Sequence, residues 1–338
     1  MIPEFAARKD ELKDQLTGEL KTYIYDQLSQ DYCAARGLDF LAGVPVPFTP
    51  SNYVKFQEGV ELSVSDIADN IIVSLGADTR FKYSGPYKRF LAKFFDEKLV
   101  DVALTRAHTE LGERRFRRAC IYARAALLLD DKARDALYTY ACVCREWYLS
   151  LEGEDGSEEL VALLKSESGK YFEYTSEADP DFAPTWYYMG YNYLNQALYR
   201  KAQLAWQRFI ELKGSDGDEA VTEIKERLEA LEQPVVIESG INELTAGRFE
   251  EGLRILEPFV GTDYGNWWPL HFYLAIAYRQ LGFYDEAIEG FRRVIALAPS
   301  NYESNLALAQ LYSQKGEDEL TEKYARKADL LSRENPRS

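Results

Sequence analysis

The chain has 338 residues, a formal charge of −16, 46% hydrophobic residues and 14% aromatic residues. That apolar content suffices for a folded core and excludes a disordered chain, while the acidic balance argues against nonspecific binding to nucleic acid or anionic membranes. Four cysteines (Cys33, Cys120, Cys142 and Cys144) are too few for a disulfide framework. The opening residues lack the apolar run of a signal peptide and no stretch reaches roughly 18 apolar residues, so a soluble, reduced, cytoplasmic protein is expected.

In residues 1–97, the spacing by four of Leu12, Leu16, Leu20, Ile24 and Leu28 predicts one long helix. The run from Gly43 to Pro50 is expected to be irregular, because three prolines fix φ and remove donors. Short helices are expected near residues 52–57, 65–75 and 86–95. The region reads as a helical cap on the first downstream hairpin, with a separate small domain as the alternative. Residues 65–76 resemble a helix-turn-helix only superficially, since Ala68 and Gly76 are spaced wrongly and no basic helix follows at once.

From residue 98 onward a pattern recurs. Ala119, Ala123 and Ala126 mark a second helix after a turn at Gly112. Leu137, Tyr140 and Ala141 open another unit, whose second helix is expected only at about 168–174, after an acidic loop (residues 151–157) and an extra helix. Trp186, Met189, Gly190, Tyr193, Ala202 and Trp206 form the next unit. A glycine-rich break at residues 214–218 leads into an amphipathic helix, Ala220 to Leu231, without a hairpin partner. Gln233-Pro234 starts a weaker unit with Gly240, Gly247, Phe249 and Leu256, in which Glu243 stands where an aromatic is usual. His271, Leu274, Ala275, Tyr278, Gly282, Ala287, Phe291, Val294 and Pro299 make up the clearest unit. Leu308, Ala309 and Tyr312 then repeat Leu274, Ala275 and Tyr278 at a distance of 34 residues, with Gly316, Ala325 and Ala328 completing that unit. The segment from Lys327 to Ser338 reads as a solvent-facing terminal helix.

This pattern resembles the tetratricopeptide repeat family (W-x2-L-G-x2-Y, then A-x3-F, then P) over roughly residues 98–331. The resemblance implies an all-α, right-handed superhelical solenoid of tetratricopeptide-type hairpins with a helical N-terminal extension. The expected divisions are 1–97, 98–232 and 233–338. The resemblance also implies a concave groove for a protein segment, facing which are Tyr138, Tyr187, Tyr191, Ile237, Ile241, Phe272, Ile276 and Gln310, with Cys142 and Leu306 beside them. That groove is apolar, and it lacks the basic clamp with which some relatives hold a terminal carboxylate, because Tyr191 and Ile276 stand where an Asn is needed. It suits an amphipathic helix or an aromatic-bearing peptide, unless the chain fills the groove itself.

An active site has little material. The chain has two histidines, His271 at a packing position and His108 at a helix end, and no phosphate-binding or nucleophile-elbow motif. Cys142 and Cys144 lie on different helix faces and suit neither a metal nor a disulfide. No enzyme, cofactor or metal site is expected. Trp267-Trp268-Pro269, at the edge of a hairpin, reads as core filling ahead of a binding hot spot. Twelve Lys/Arg against six Asp/Glu between Asp78 and Arg124 give a local +6, leaving −22 elsewhere. A regulator touching nucleic acid through Arg114, Arg115, Arg117 and Arg118 is therefore the second reading. A homo-oligomer pairing the charge-opposed halves is the third.

Overall fold

The computed structural model describes residues 2, 4–60, 62–95, 98–214 and 218–334. Residues 215–217 of the expected glycine-rich break and 335–338 of the expected terminal segment lie outside them. The chain divides into two compact units, residues 1–196 with 204–216 and residues 197–203 with 217–338. The helix after the break thus belongs with the second unit, not with the earlier hairpins.

In the first unit the long leading helix is replaced by α1 (Lys13–Leu16), a 3-10 turn over Thr17–Thr22, and strand β1 (Ile24–Gln27). After α2 (Gln30–Arg36), the proline-rich segment is strand β2 (Pro45–Phe48), antiparallel to β1 with Ile24 opposite Phe48 and Gln27 opposite Pro45. The prolines are tolerated because their backbone faces away from β1. The Pro47 carbonyl accepts from Asn70 Nδ2 at 3.1 Å and the Pro45 carbonyl from the Tyr87 hydroxyl at 2.7 Å, so their missing N–H groups fall on the same outer side.

Helices α3 (Pro50–Gln57), α4 (Val64–Ala77) and α5 (Ser84–Phe95) come next. Thr49 and Ser63 cap the first two by accepting from the Asn52 and Asp66 N–H groups. The hairpin helices are α6 (Leu99–Gly112), α7 (Phe116–Leu129), α8 (Arg134–Leu151), α9 (Glu158–Ala178), α10 (Ala183–Asn195) and α11 (Tyr199–Lys213). No extra helix precedes the partner of α8: α9 is continuous over 21 residues. Helix α4 lies against α7 so closely that a Cβ on Gly76 would meet the Ile121 carbonyl oxygen at 1.9 Å. With α4 on one side and α6 and α8 on others, residues 119–128 of α7 are all buried. The leading residues and the hairpins share one continuous hydrophobic core, from Phe5 to Ala205.

The second unit contains α12 (Glu219–Ala230), α13 (Glu232–Thr245), α14 (Phe249–Leu256), α15 (Trp268–Leu281), α16 (Tyr284–Leu297), α17 (Tyr302–Lys315) and α18 (Asp318–Glu334). From α13 onward they pair as three hairpins, α13–α14, α15–α16 and α17–α18. Each hairpin turns at a left-handed glycine: Gly247 (φ 79°), Gly282 (φ 83°) and Gly316 (φ 73°). At the equivalent turn after α6 stands Arg114 (φ 57°), and after α10 Ala197 (φ 55°), two non-glycine residues held in that region. Small residues set the helix separation. A Cβ on Gly240 would lie 2.6 Å from Leu256, and one on Gly290 would lie 2.8 Å from the Ala275 methyl.

Candidate peptide-binding groove

In the second unit four of the expected groove positions converge. Phe272 and Ile276 of α15 and Leu306 and Gln310 of α17 line one cavity of about 300 Å³, together with Phe291, Ala307, Arg279 and Glu303. Positions one turn apart on successive first helices meet because α16 and the small residues Ala275 and Ala307 bring α15 and α17 together over the Phe291 core. Leu306 is 37% exposed and Gln310 is exposed, so among the described residues the far wall is open to solvent. Trp267 and Trp268 do not fill core, as their sequence suggests; they are 41% and 37% exposed. Trp268 sits edge-on to Phe272 at 6.0 Å, one turn earlier on α15, and prolongs the aromatic side of this wall.

The other expected groove residues are placed differently. Ile237 is only 4% exposed; it packs in a core with Leu244, Leu253, Leu256, Leu270 and Leu274, because α15 covers that face of α13. Ile241 is half-buried at the edge of the same core. In the first unit, Tyr138 meets the rings of Phe182 (5.0 Å), Phe172 (6.0 Å) and Tyr188 (6.3 Å), and so mainly fastens α8 to its neighbours. Tyr187 meets Phe209 at 5.3 Å and Tyr191 meets Trp206 at 5.1 Å. These two rings join α10 to α11, and each is half-buried. None of the three lines the α15–α17 cavity. Within the hairpin the two sites are alike, since Phe291 of α16 meets Phe272 at 6.0 Å much as Phe209 of α11 meets Tyr187; the α15 site differs in having Leu306 and Gln310 of α17 across an open cavity.

A larger cavity, about 480 Å³, lies in the first unit among Tyr148, Lys165, Lys170, Asn192, Asn195 and Gln196. Its lysines are already paired, Lys165 with Glu152 at 2.7 Å and Lys170 with Glu167 at 3.5 Å. Size alone therefore does not favour it.

Part of the basic window is neutralised by carboxylates of the same chain. Arg115 pairs with Glu110 and Glu113, Arg118 with Glu19 at 3.0 Å and Glu110 at 3.5 Å, and Arg106 with Asp69 at 3.5 Å. Lys93 donates to the Arg36 and Gly37 carbonyls at the end of α2, each at 2.7 Å. Arg114 and Arg117 remain exposed. Cys142 contacts Tyr138, and burial pushes its thiol up to about 12. Cys144 faces the other way, hydrogen-bonded to Cys120, and burial raises it well above the usual thiol range. Such thiols are poor nucleophiles. His271 is buried, with Nε2 2.8 Å from the Gly265 carbonyl, a packing and tethering role. His108 Nε2 lies 3.2 Å from Thr139 Oγ1.

These paired helices, with a solvent-open cavity between the first helices of two successive hairpins, are helical-repeat hairpins of the tetratricopeptide type. Residues 268–301 match the tetratricopeptide repeat family. No curated protein matches the chain. Solved structures similar to it include MamA protein (14% identity over 71% of this chain and 94% of that one, TM-score 0.28), PilF of Pseudomonas aeruginosa (15%, 71% and 93%, 0.33) and the TPR domain of P58(IPK) (16%, 69% and 60%, 0.37). Likenesses at these values carry no argument about this chain. Tetratricopeptide repeats are protein-interaction modules, typically non-enzymatic, and the chain is a protein-interaction scaffold in that general sense. Among the described residues no helix is long and apolar enough to cross a membrane.

Proposed function

We propose that the chain is a non-enzymatic adaptor that binds an amphipathic helix or aromatic-bearing segment of another protein in the cavity between α15 and α17. The observation that carries this reading is the convergence of Phe272, Ile276 and Leu306 on one solvent-open cavity, with Gln310 and Arg279 as polar groups at its edge. Burying an apolar anchor against each of three such side chains contributes roughly 1–3 kcal/mol apiece. A micromolar complex needs about 8 kcal/mol net, so three anchors and a few hydrogen bonds suffice. A photo-crosslinker at position 310 should capture a defined partner from lysate, and Leu306→Asp should abolish capture while the helical circular dichroism is retained. Equal capture by the Leu306→Asp protein refutes the groove.

A further inference from the structure

The first unit carries a leading segment packed across its hairpins. Residues Glu4–Leu12 form an arm across α7, α8 and α9 that is held mostly by side chains. The Phe5 ring enters edge-on between Tyr140 (6.1 Å) and Tyr171 (6.2 Å), and its backbone N–H donates to Asp131 at 3.1 Å. Three residues on, the Arg8 guanidinium lies over Tyr174 (4.3 Å) and Tyr171 (5.0 Å) and donates to the Tyr171 hydroxyl. Two residues further, Asp10 accepts from Arg124 at 2.5 Å and from Thr79 at 3.0 Å. The arm has only a single 3-10 turn over Phe5–Ala7, and α8 and α9 pack directly against each other. An aromatic, a cation over tyrosine faces and a carboxylate on a buried arginine are how a protein reads a peptide.

We propose that the surface formed by Tyr140, Tyr171, Tyr174 and Arg124 is a peptide-binding site whose resident ligand is the arm itself. An external segment carrying an aromatic, an arginine three residues later and a carboxylate two beyond that takes the arm's place. The chemistry restricts the occupant. Arg124 is 2% exposed and always charged, so a segment that displaces Asp10 without supplying a carboxylate leaves a buried charge uncompensated. In cis the arm acts at an effective concentration on the order of millimolar, which masks the site from weak competitors. The surface is separate from the α15–α17 cavity and does not depend on it.

The test uses the full chain carrying Phe5→Ala, Arg8→Ala and Asp10→Asn, titrated with a synthetic peptide of residues 4–12. The peptide should bind this chain at least tenfold more tightly than the unaltered chain and should raise its melting temperature. A peptide with the Asp10→Asn change should do neither. Absence of binding to the altered chain, or equal binding by both peptides, overturns the proposal. Because the altered chain risks unfolding, hydrogen exchange on the unaltered protein gives a second reading. Amides of residues 5–12 exchanging faster than those of α7 support a separable arm; exchange of both only by global unfolding overturns it.

Discussion

Asp10→Asn separates a stabilising ion pair from a merely tolerated one. Asp10 and Arg124 bond at 2.5 Å with side chains 8% and 2% exposed, and the Thr79 hydroxyl and backbone N–H also point at Asp10, at 3.0 and 3.4 Å. The change keeps the shape of the side chain and removes its charge, which leaves the Arg124 guanidinium desolvated without a counter-ion. Removing one member of such a pair costs about 3–5 kcal/mol. For a unit of this size that corresponds to a fall in melting temperature on the order of 10 °C. Replacing both members, Asp10→Asn with Arg124→Met, eliminates the uncompensated charge, and the double variant should be about 2 kcal/mol or more above the single one. Chemical denaturation of the three proteins, followed by circular dichroism with the first-unit transition fitted separately, measures this. An Asp10→Asn cost below about 1 kcal/mol, or a double variant less stable than the Asp10→Asn protein, refutes the assignment of Arg124 as a charge that depends on Asp10.

Three further expectations rest on backbone, packing and titration. Arg114→Gly and Ala197→Gly remove left-handed strain at hairpin turns where Gly247, Gly282 and Gly316 already serve, and each should gain up to about 1 kcal/mol in thermal unfolding. Gly190→Ala places a methyl 2.0 Å from Trp206 Nε1, which donates to the Tyr187 carbonyl at 3.1 Å, and should cost about 1–3 kcal/mol with a shift in tryptophan fluorescence. Burial holds the hydroxyls of Tyr87, Tyr122, Tyr138, Tyr140 and Tyr171 above their ordinary value. A raised folded pKa contributes stability below pH about 10 that is lost as pH rises further, so tyrosinate absorbance should appear together with loss of helix above that pH.

The hairpins were legible because their determinants are local. Leu274, Ala275 and Tyr278 lie within two helical turns, and the same offsets recur at Leu308, Ala309 and Tyr312. The leading region was not legible in the same way. Leu12 and Leu16 do fall on one buried face, but the spacing that continues through Leu20 to Leu28 is fortuitous. Tyr23-Ile24-Tyr25 favours a strand, and the strand exists because residues some twenty positions away pair with it, with carbonyls satisfied by Asn70 and Tyr87. The groove was legible by position but not by occupancy. Tyr187 and Phe272 hold equivalent places in their repeats and each meets a ring of its own second helix, Phe209 and Phe291; only Phe272 also lines a cavity shared with the next first helix, through Leu306 and Gln310. The arm site left no trace, since Phe5, Arg8 and Asp10 follow no repeat and acquire meaning only beside Tyr171, Tyr174 and Arg124.

The basic window illustrates how an excess of charge in sequence becomes internal glue. Of the four arginines between 114 and 118, Arg115 and Arg118 are engaged by Glu19, Glu110 and Glu113, and Arg106 nearby by Asp69. A phosphate approaching Arg118 must displace Glu19 and Glu110, which are tethered in the fold at no further entropic loss. Arg114 and Arg117 are left, enough for about two phosphate contacts. Binding to heparin or duplex DNA should then be weak and fall only about tenfold for a fourfold rise in salt. Replacing Arg114 and Arg117 with Ala should remove it. Six or more contacts would instead lower binding by about a thousandfold over the same change. A slope that steep would mean that the Glu19 and Glu110 pairs open on contact, and the reading of this face as internally neutralised would fall.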